Sequence, residues 1–155
     1  MSKDPMPKTA WLATLDARSG RLIRATRTDR GAWHFDEHGS IRNDWEDRHE
    51  HSRPTQTSSA HGPVGIQHAA GTKHPGEEEL RRFVRDACAW LQAQMRESRI
   101  EHLVVAAPAR VLGSLRHEAP PALAARITEL PGELSHLRVS ELAEHPTVLG
   151  ALGGR

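Results

Sequence analysis

The sequence predicts an α/β protein in which helices pack on a mixed sheet. Three observations carry this. Short apolar or alternating runs separated by turn clusters occupy the chain up to Trp45, as in an antiparallel meander. One long segment from Glu77 repeats its apolar residues at helical spacing. Leu103-Val104-Val105-Ala106-Ala107 is apolar without a break, the pattern of a strand covered on both faces. At 155 residues the chain suits one domain with a hydrophobic core. Residues 10–149 are expected to form it, with 1–9 and 150–155 as flexible tails.

Trp11 to Leu15 reads as the first strand, closed by the turn cluster Asp16-Ala17-Arg18-Ser19-Gly20. Arg21 to Arg27 reads as the second, and Asp29-Arg30-Gly31 as the next turn. Trp33-His34-Phe35 alternates as a short third strand. Asp36-Glu37-His38-Gly39 has turn composition, and a fourth run follows from Ile41 to Trp45. Residues 48–76 are His, Ser, Thr, Pro, Gly, Gln or charged almost throughout, with Val64 and Ile66 the strong hydrophobes. This composition predicts a polar, His-rich loop that contributes little to the core.

Leu80, Phe83, Val84, Ala87, Cys88, Leu91 and Met95 share one helical face, and Glu77, Glu78 and Glu79 sit where the positive end of the helix dipole favours them. The expected helix runs roughly six turns. After the strand Leu103–Ala107, Pro108 stops extension, and Val111, Leu112 and Leu115 have helical spacing. Pro120-Pro121 restarts a short helix, Ile127 to Leu130 reads as a last strand, and Leu137 to Leu149 as a final short helix punctuated by Pro146.

Lys and Arg number 21 against 20 Asp and Glu, so the formal net charge is +1. That balance excludes a protein held to nucleic acid by a broad phosphate-neutralising surface. A single cysteine, Cys88, excludes an internal disulfide and a cysteine-based zinc cluster, and fits a reducing, cytoplasmic compartment. No run of about 18 apolar residues is present, so no membrane span is expected. Walker and Gly-x-Gly-x-x-Gly phosphate cradles are absent as well, and no cofactor is expected.

Trp11-Leu12-Ala13-Thr14-Leu15-Asp16 resembles the opening "WVLVAD" of the bacterial host-attachment family, proteins required for attachment to host cells. The stronger likeness is Leu103 to Arg116, "LVVAAPARVLGSLR", against that family's "LVLVAPPRFLGELR". It continues through Ala122 to Ile127 and Leu130 to Ser135, and closes at Ser140-Glu141-Leu142. The family is similar in turn to the middle domain of archaeal and eukaryotic peptide release factors. The resemblance therefore implies an RNase H-like fold: an antiparallel meander, a long helix, then strands parallel to the first. Where release factors carry Gly-Gly-Gln in the loop before the long helix, this chain has Gly65-Ile66-Gln67. A β-branched residue at the middle position removes the backbone freedom such a tip needs, so peptide release is not expected.

Candidate chemistry is sparse. His49 and His51 beside Glu46, Asp47 and Glu50 offer metal-ligand types, but a loop of this composition has little to fix them, and no metal is assigned. Asp16, Asp36, Asp44 and Asp47 would be the carboxylates of a two-metal nuclease, yet each falls at a turn or loop margin that favours Asp for its own reasons. Ser114 and His117 lack a nucleophile elbow around them. Cys88 on the apolar helix face reads as inert core.

Arg81, Arg82, Arg85, Arg96 and Arg99 give the long helix a basic side, balanced by acidic residues at helical spacings. The segment Pro108 to Gly113 follows the carboxyl end of the buried strand, where open α/β sheets commonly bind ligands. Pro108, Arg110 and Gly113, with Arg81 and Arg85, are the candidate interaction residues. The expected function is a non-enzymatic binding protein of the host-attachment family with an unnamed protein partner. A ribosome- or RNA-associated factor related to release factors is the alternative, and a metal-dependent nuclease a distant third.

Overall fold

The computed structural model describes residues 8–44 and 76–153. Trp45, Asp47, the loop histidines and Gly65-Ile66-Gln67 lie outside the described residues.

Five strands form one sheet: β1 (Thr9–Leu15), β2 (Ser19–Arg27), β3 (Trp33–Arg42), β4 (Leu103–Ala107) and β5 (Ile127–Pro131). Their order across the sheet is β3-β2-β1-β4-β5. The first three strands pair antiparallel, whereas β4 lies parallel to β1 and β5 parallel to β4. Helix α1 (Glu77–Glu97) crosses between the two halves, and α2 (Ala109–Glu118) and α3 (Pro121–Ala124) connect β4 to β5. Two short helices, α4 (Val139–Leu142) and α5 (Pro146–Gly153), follow β5.

Alternation along the strands sorts the core into two layers. Ala13, Leu15 and Leu22 join Leu103, Val105 and Ala107 under α1 and α2. Leu12, Ile23, Ala25, Val104 and Ala106 face the other way, covered by Leu134, Leu142 and Val148. All five residues of β4 are therefore buried, as the unbroken apolar run predicts. The seven α1 residues singled out by helical spacing are its seven buried residues.

Three expectations are corrected. Trp33 to Arg42 is one ten-residue strand, and Asp36-Glu37-His38-Gly39 lies inside it rather than in a turn. Ile23 pairs with Glu37 and Leu22 with Gly39, so His38 is an extra residue accommodated as a bulge. As an edge strand β3 needs few inward apolar residues, and its exposed charges protect the unpaired edge, which is why its composition imitates a turn. The segment from Leu137 to Leu149 is two helices, because Pro146, lacking an amide hydrogen, begins a helix more readily than it continues one. The second continues past Leu149 to Gly153, and Ala151 and Leu152 pack against the core where a flexible tail was expected.

Candidate interaction surface

Pro108 ends β4 and precedes α2 in extended conformation, its carbonyl accepting the Leu112 amide at 2.9 Å. Val111, Leu112 and Leu115 turn down onto α1, which leaves Arg110 and Gly113 exposed. Arg110 lies over the start of α1, one guanidinium nitrogen 3.8 Å from Glu77 Oε1. Farther along, Arg85 Nε donates to Glu118 Oε1 at 3.2 Å, and Arg81 Nε is 3.9 Å from Glu118 Oε2. The α1–α2 packing thus brings Arg81, Arg85 and Arg110 onto one ridge, each beside a carboxylate. The Glu118 side chain is 12% exposed against 66% for Arg85, so the carboxylate is set between the helices and the guanidinium lies over it. Glu118 was not among the residues expected to matter. Helical spacing marks the buried face of α2, but it does not show which neighbouring helix the last turn touches.

Packing within the chain does not hold position 113 to glycine. A Cβ there would meet nothing within 4 Å, so no close backbone contact within the chain requires glycine. Its effect is to leave a smooth stretch of exposed backbone next to Arg110. Arg116 is engaged away from the ridge, donating to both Glu129 carboxylate oxygens at 2.7 to 3.1 Å, and this pairing raises its already high pKa.

Groups that suggested catalysis have structural partners. Asp16 Oδ1 accepts the Arg18 and Ser19 amides, both at 2.7 Å, and so forms the β1–β2 turn. Asp36 is exposed on the edge strand, where His34 Nε2 lies 3.2 Å away. Among the described residues, no three His, Cys, Asp or Glu side chains come together as a metal site. Cys88 is buried, and its thiol is pushed up to about 11, first by desolvation and then by the nearby Glu118 charge, so it stays protonated and unreactive at neutral pH.

The structure also separates arginines that the sequence groups together. Arg81 and Arg85 belong to the ridge, whereas Arg96 and Arg99 lie at the far end of α1, where they line clefts with Arg126 from the α3–β5 connection and Arg24 from β2. Arg24 and Arg126 carry no local sequence signal of this convergence. Among the described residues no helix is long and apolar enough to cross a membrane.

A family model described as "Protein required for attachment to host cells" matches residues 11–145, from β1 through α4. No curated protein matches the chain.

Proposed function

The chain belongs to the family of proteins required for attachment to host cells, and from that membership we propose that it is a non-enzymatic binding protein whose partner docks on the α1–α2 ridge. The observation that carries this is the exposed start of α2. At the carboxyl end of β4, beside its parallel neighbour β1, Pro108 turns the chain and presents Arg110 next to the unobstructed Gly113 backbone. An arginine there offers a planar fork of donors to a partner carboxylate, which would compete with the exposed Glu77 for it. No reaction is assigned, because the Asp16 carboxylate is committed to a turn and the Cys88 thiol to the core. A cytoplasmic site of action accompanies this reading, with Cys88 as the sole, buried thiol. The test is Arg110→Ala in a pull-down titration: capture is expected to fall at least about tenfold, since a charge-assisted hydrogen bond contributes roughly 1.5–3 kcal/mol. Unaltered capture would remove the ridge from consideration.

A second reading is supported by topology. The order β3-β2-β1-β4-β5, with β1, β4 and β5 parallel, is what an RNase H-like fold related to the release-factor middle domain requires. On that reading the protein associates with ribosomes or RNA as a translation-related factor, without a working Gly-Gly-Gln. Co-purification from lysate with and without nuclease treatment tests it. Ribosomal proteins or RNA in the eluate would promote it above the first reading. The nuclease alternative would need Asp16 as a ligand, and turnover abolished by Asp16→Asn would revive it.

A further inference from the structure

At the end of the sheet opposite the ridge, where β1 and β4 begin, three adjoining clefts run along the surface. One is lined by Arg96 and Arg126 with Leu123. The next, of about 580 Å³, shares both arginines and adds Arg99. The last, of about 630 Å³, shares Arg99 and adds Arg24, His102 and Trp11. Shared walls make the three continuous, so Arg126, Arg96, Arg99 and Arg24 follow one another along a single path. None of the four forms an ion pair among the described residues, in contrast to Arg81, Arg85 and Arg116. Glu101 is the acidic residue lining this path.

Backbone conformation is a second, independent observation. Helix α1 ends in a Schellman motif, with the Ile100 amide donating to Met95 O at 2.8 Å and the Arg99 amide to Arg96 O at 3.4 Å. The residue at the left-handed position is Arg99, with φ 55°, the one non-glycine residue of positive φ among the described residues. Glycine occupies this position at lower energy because it has no Cβ to crowd the carbonyl. An arginine held there points to a use for its side chain.

The spacing of the charges selects the kind of ligand, without help from the helix end. α1 presents its carbonyl terminus here, which repels an anion, so a lone phosphate gains nothing from the backbone dipole. Attraction comes from the guanidinium groups alone, and they are strung along a path rather than gathered at a point. A ligand with phosphates spaced along a chain engages all four. The half-buried Trp11, cross-strand partner of Arg24 and in edge-on contact with His38 at 5.0 Å, supplies an aromatic surface in the last cleft.

We propose that this path binds single-stranded nucleic acid, with Arg126, Arg96, Arg99 and Arg24 meeting successive phosphates and Trp11 receiving a base. A net charge of +1 is compatible with it, since the path is a local array and not a broad basic surface. The site gives the RNA-associated reading a location distinct from the ridge. By helical rise, Arg96 lies about 22 Å along α1 from Arg81.

The test is fluorescence anisotropy of the purified full chain with labelled twelve-nucleotide oligo(U) and oligo(dT) over a range of KCl concentrations. Binding of either supports the site, and the tighter one identifies the sugar. The expected slope of log affinity against log salt is about −3, from roughly 0.7 per phosphate contacted. Arg99→Gly is the decisive variant because glycine suits the left-handed position. Its melting temperature should equal or exceed that of the parent while affinity falls about tenfold and the slope flattens by about 0.7. Arg126→Gln should weaken binding similarly, whereas Arg30→Gln in the β2–β3 turn should not. The proposal is overturned by absence of binding at low salt, by Arg99→Gly and Arg126→Gln binding like the parent, by an equal loss in Arg30→Gln, or by a glutamate-rich peptide competing as well as the oligonucleotide. A chain that binds neither oligonucleotide yet co-purifies with ribosomes would overturn this site and leave the translation reading standing.

Discussion

Glu118, the last residue of α2, reaches across to α1 and accepts a hydrogen bond from Arg85 Nε at 3.2 Å, while its second oxygen lies 3.9 Å from Arg81. One carboxylate thus joins two helices and two turns of α1. Because the guanidinium groups are largely exposed, solvent screens the attraction, and the link orients the ridge more than it stabilises the fold.

A double-mutant cycle with Arg85→Ala and Glu118→Ala measures that link. The coupling in chemical denaturation is expected at about 0.2–1 kcal/mol in low salt, and it should shrink towards zero near about 1 M NaCl. No coupling even at low ionic strength would mean that the two side chains do not meet in solution.

The apolar face of α1 behaves differently, because its contacts are buried. Phe83 is 3% exposed in the layer formed with Leu80, Val84 and Leu91 over β1 and β4. Phe83→Ala should cost about 3–5 kcal/mol through lost transfer energy and the cavity left behind. A denaturation change below about 1 kcal/mol would show that α1 is docked by other residues.

Legibility in the sequence follows the strength of the local signal. Helix α1 and strand β4 are legible because burial imposes a pattern on every residue: seven apolar positions at helical spacing, five in an unbroken run. Strand β3 is legible only at its two ends, since an edge strand is held by its pairing with β2 and its exposed residues need only be polar. The bulge at His38 further disrupts its alternation. At the ridge, Arg81, Arg85 and Arg110 are identifiable from position, but the part played by Glu118 depends on the crossing of α1 and α2. Of the arginine path only Arg96 and Arg99 stand out in the sequence, because Arg24 and Arg126 come from separate stretches that join them only in the folded chain.

Cys88 gives a pH-dependent test. Its folded-state pKa is raised from 9.0 to about 11, by burial first and by Glu118 second. A raised pKa means that the folded chain keeps the thiol proton more tightly than the unfolded chain does. The associated stability is fully present below about pH 9 and is lost as pH rises through about 11. Across that window the parent should lose stability more steeply than Cys88→Ala, as read from urea midpoints. Glu118→Gln should reduce the difference by removing the charge that opposes thiolate formation. Parallel pH profiles for parent and Cys88→Ala would contradict the burial of this thiol.

The ridge is open to a substitution that separates folding from binding. Gly113 is the fifth residue of α2, exposed, with nothing within 4 Å of where an alanine methyl would sit and no positive φ to protect. Glycine in an exposed helix interior costs about 0.5–1 kcal/mol relative to alanine, through the greater freedom of the unfolded chain. Gly113→Ala should therefore stabilise the protein by about that amount. If the backbone beside Arg110 is where a partner sits, the same methyl stands in the contact and capture should fall while the denaturation midpoint rises. Arg110→Ala should weaken capture too, but with a stability change below about 1 kcal/mol, since the Arg110–Glu77 pair is exposed on both sides. Opposite movement of stability and capture in Gly113→Ala cannot arise from partial unfolding. Raised stability with unchanged capture would place the docking surface away from Gly113, and lost stability would mean that this stretch of α2 packs more closely than its open surroundings indicate.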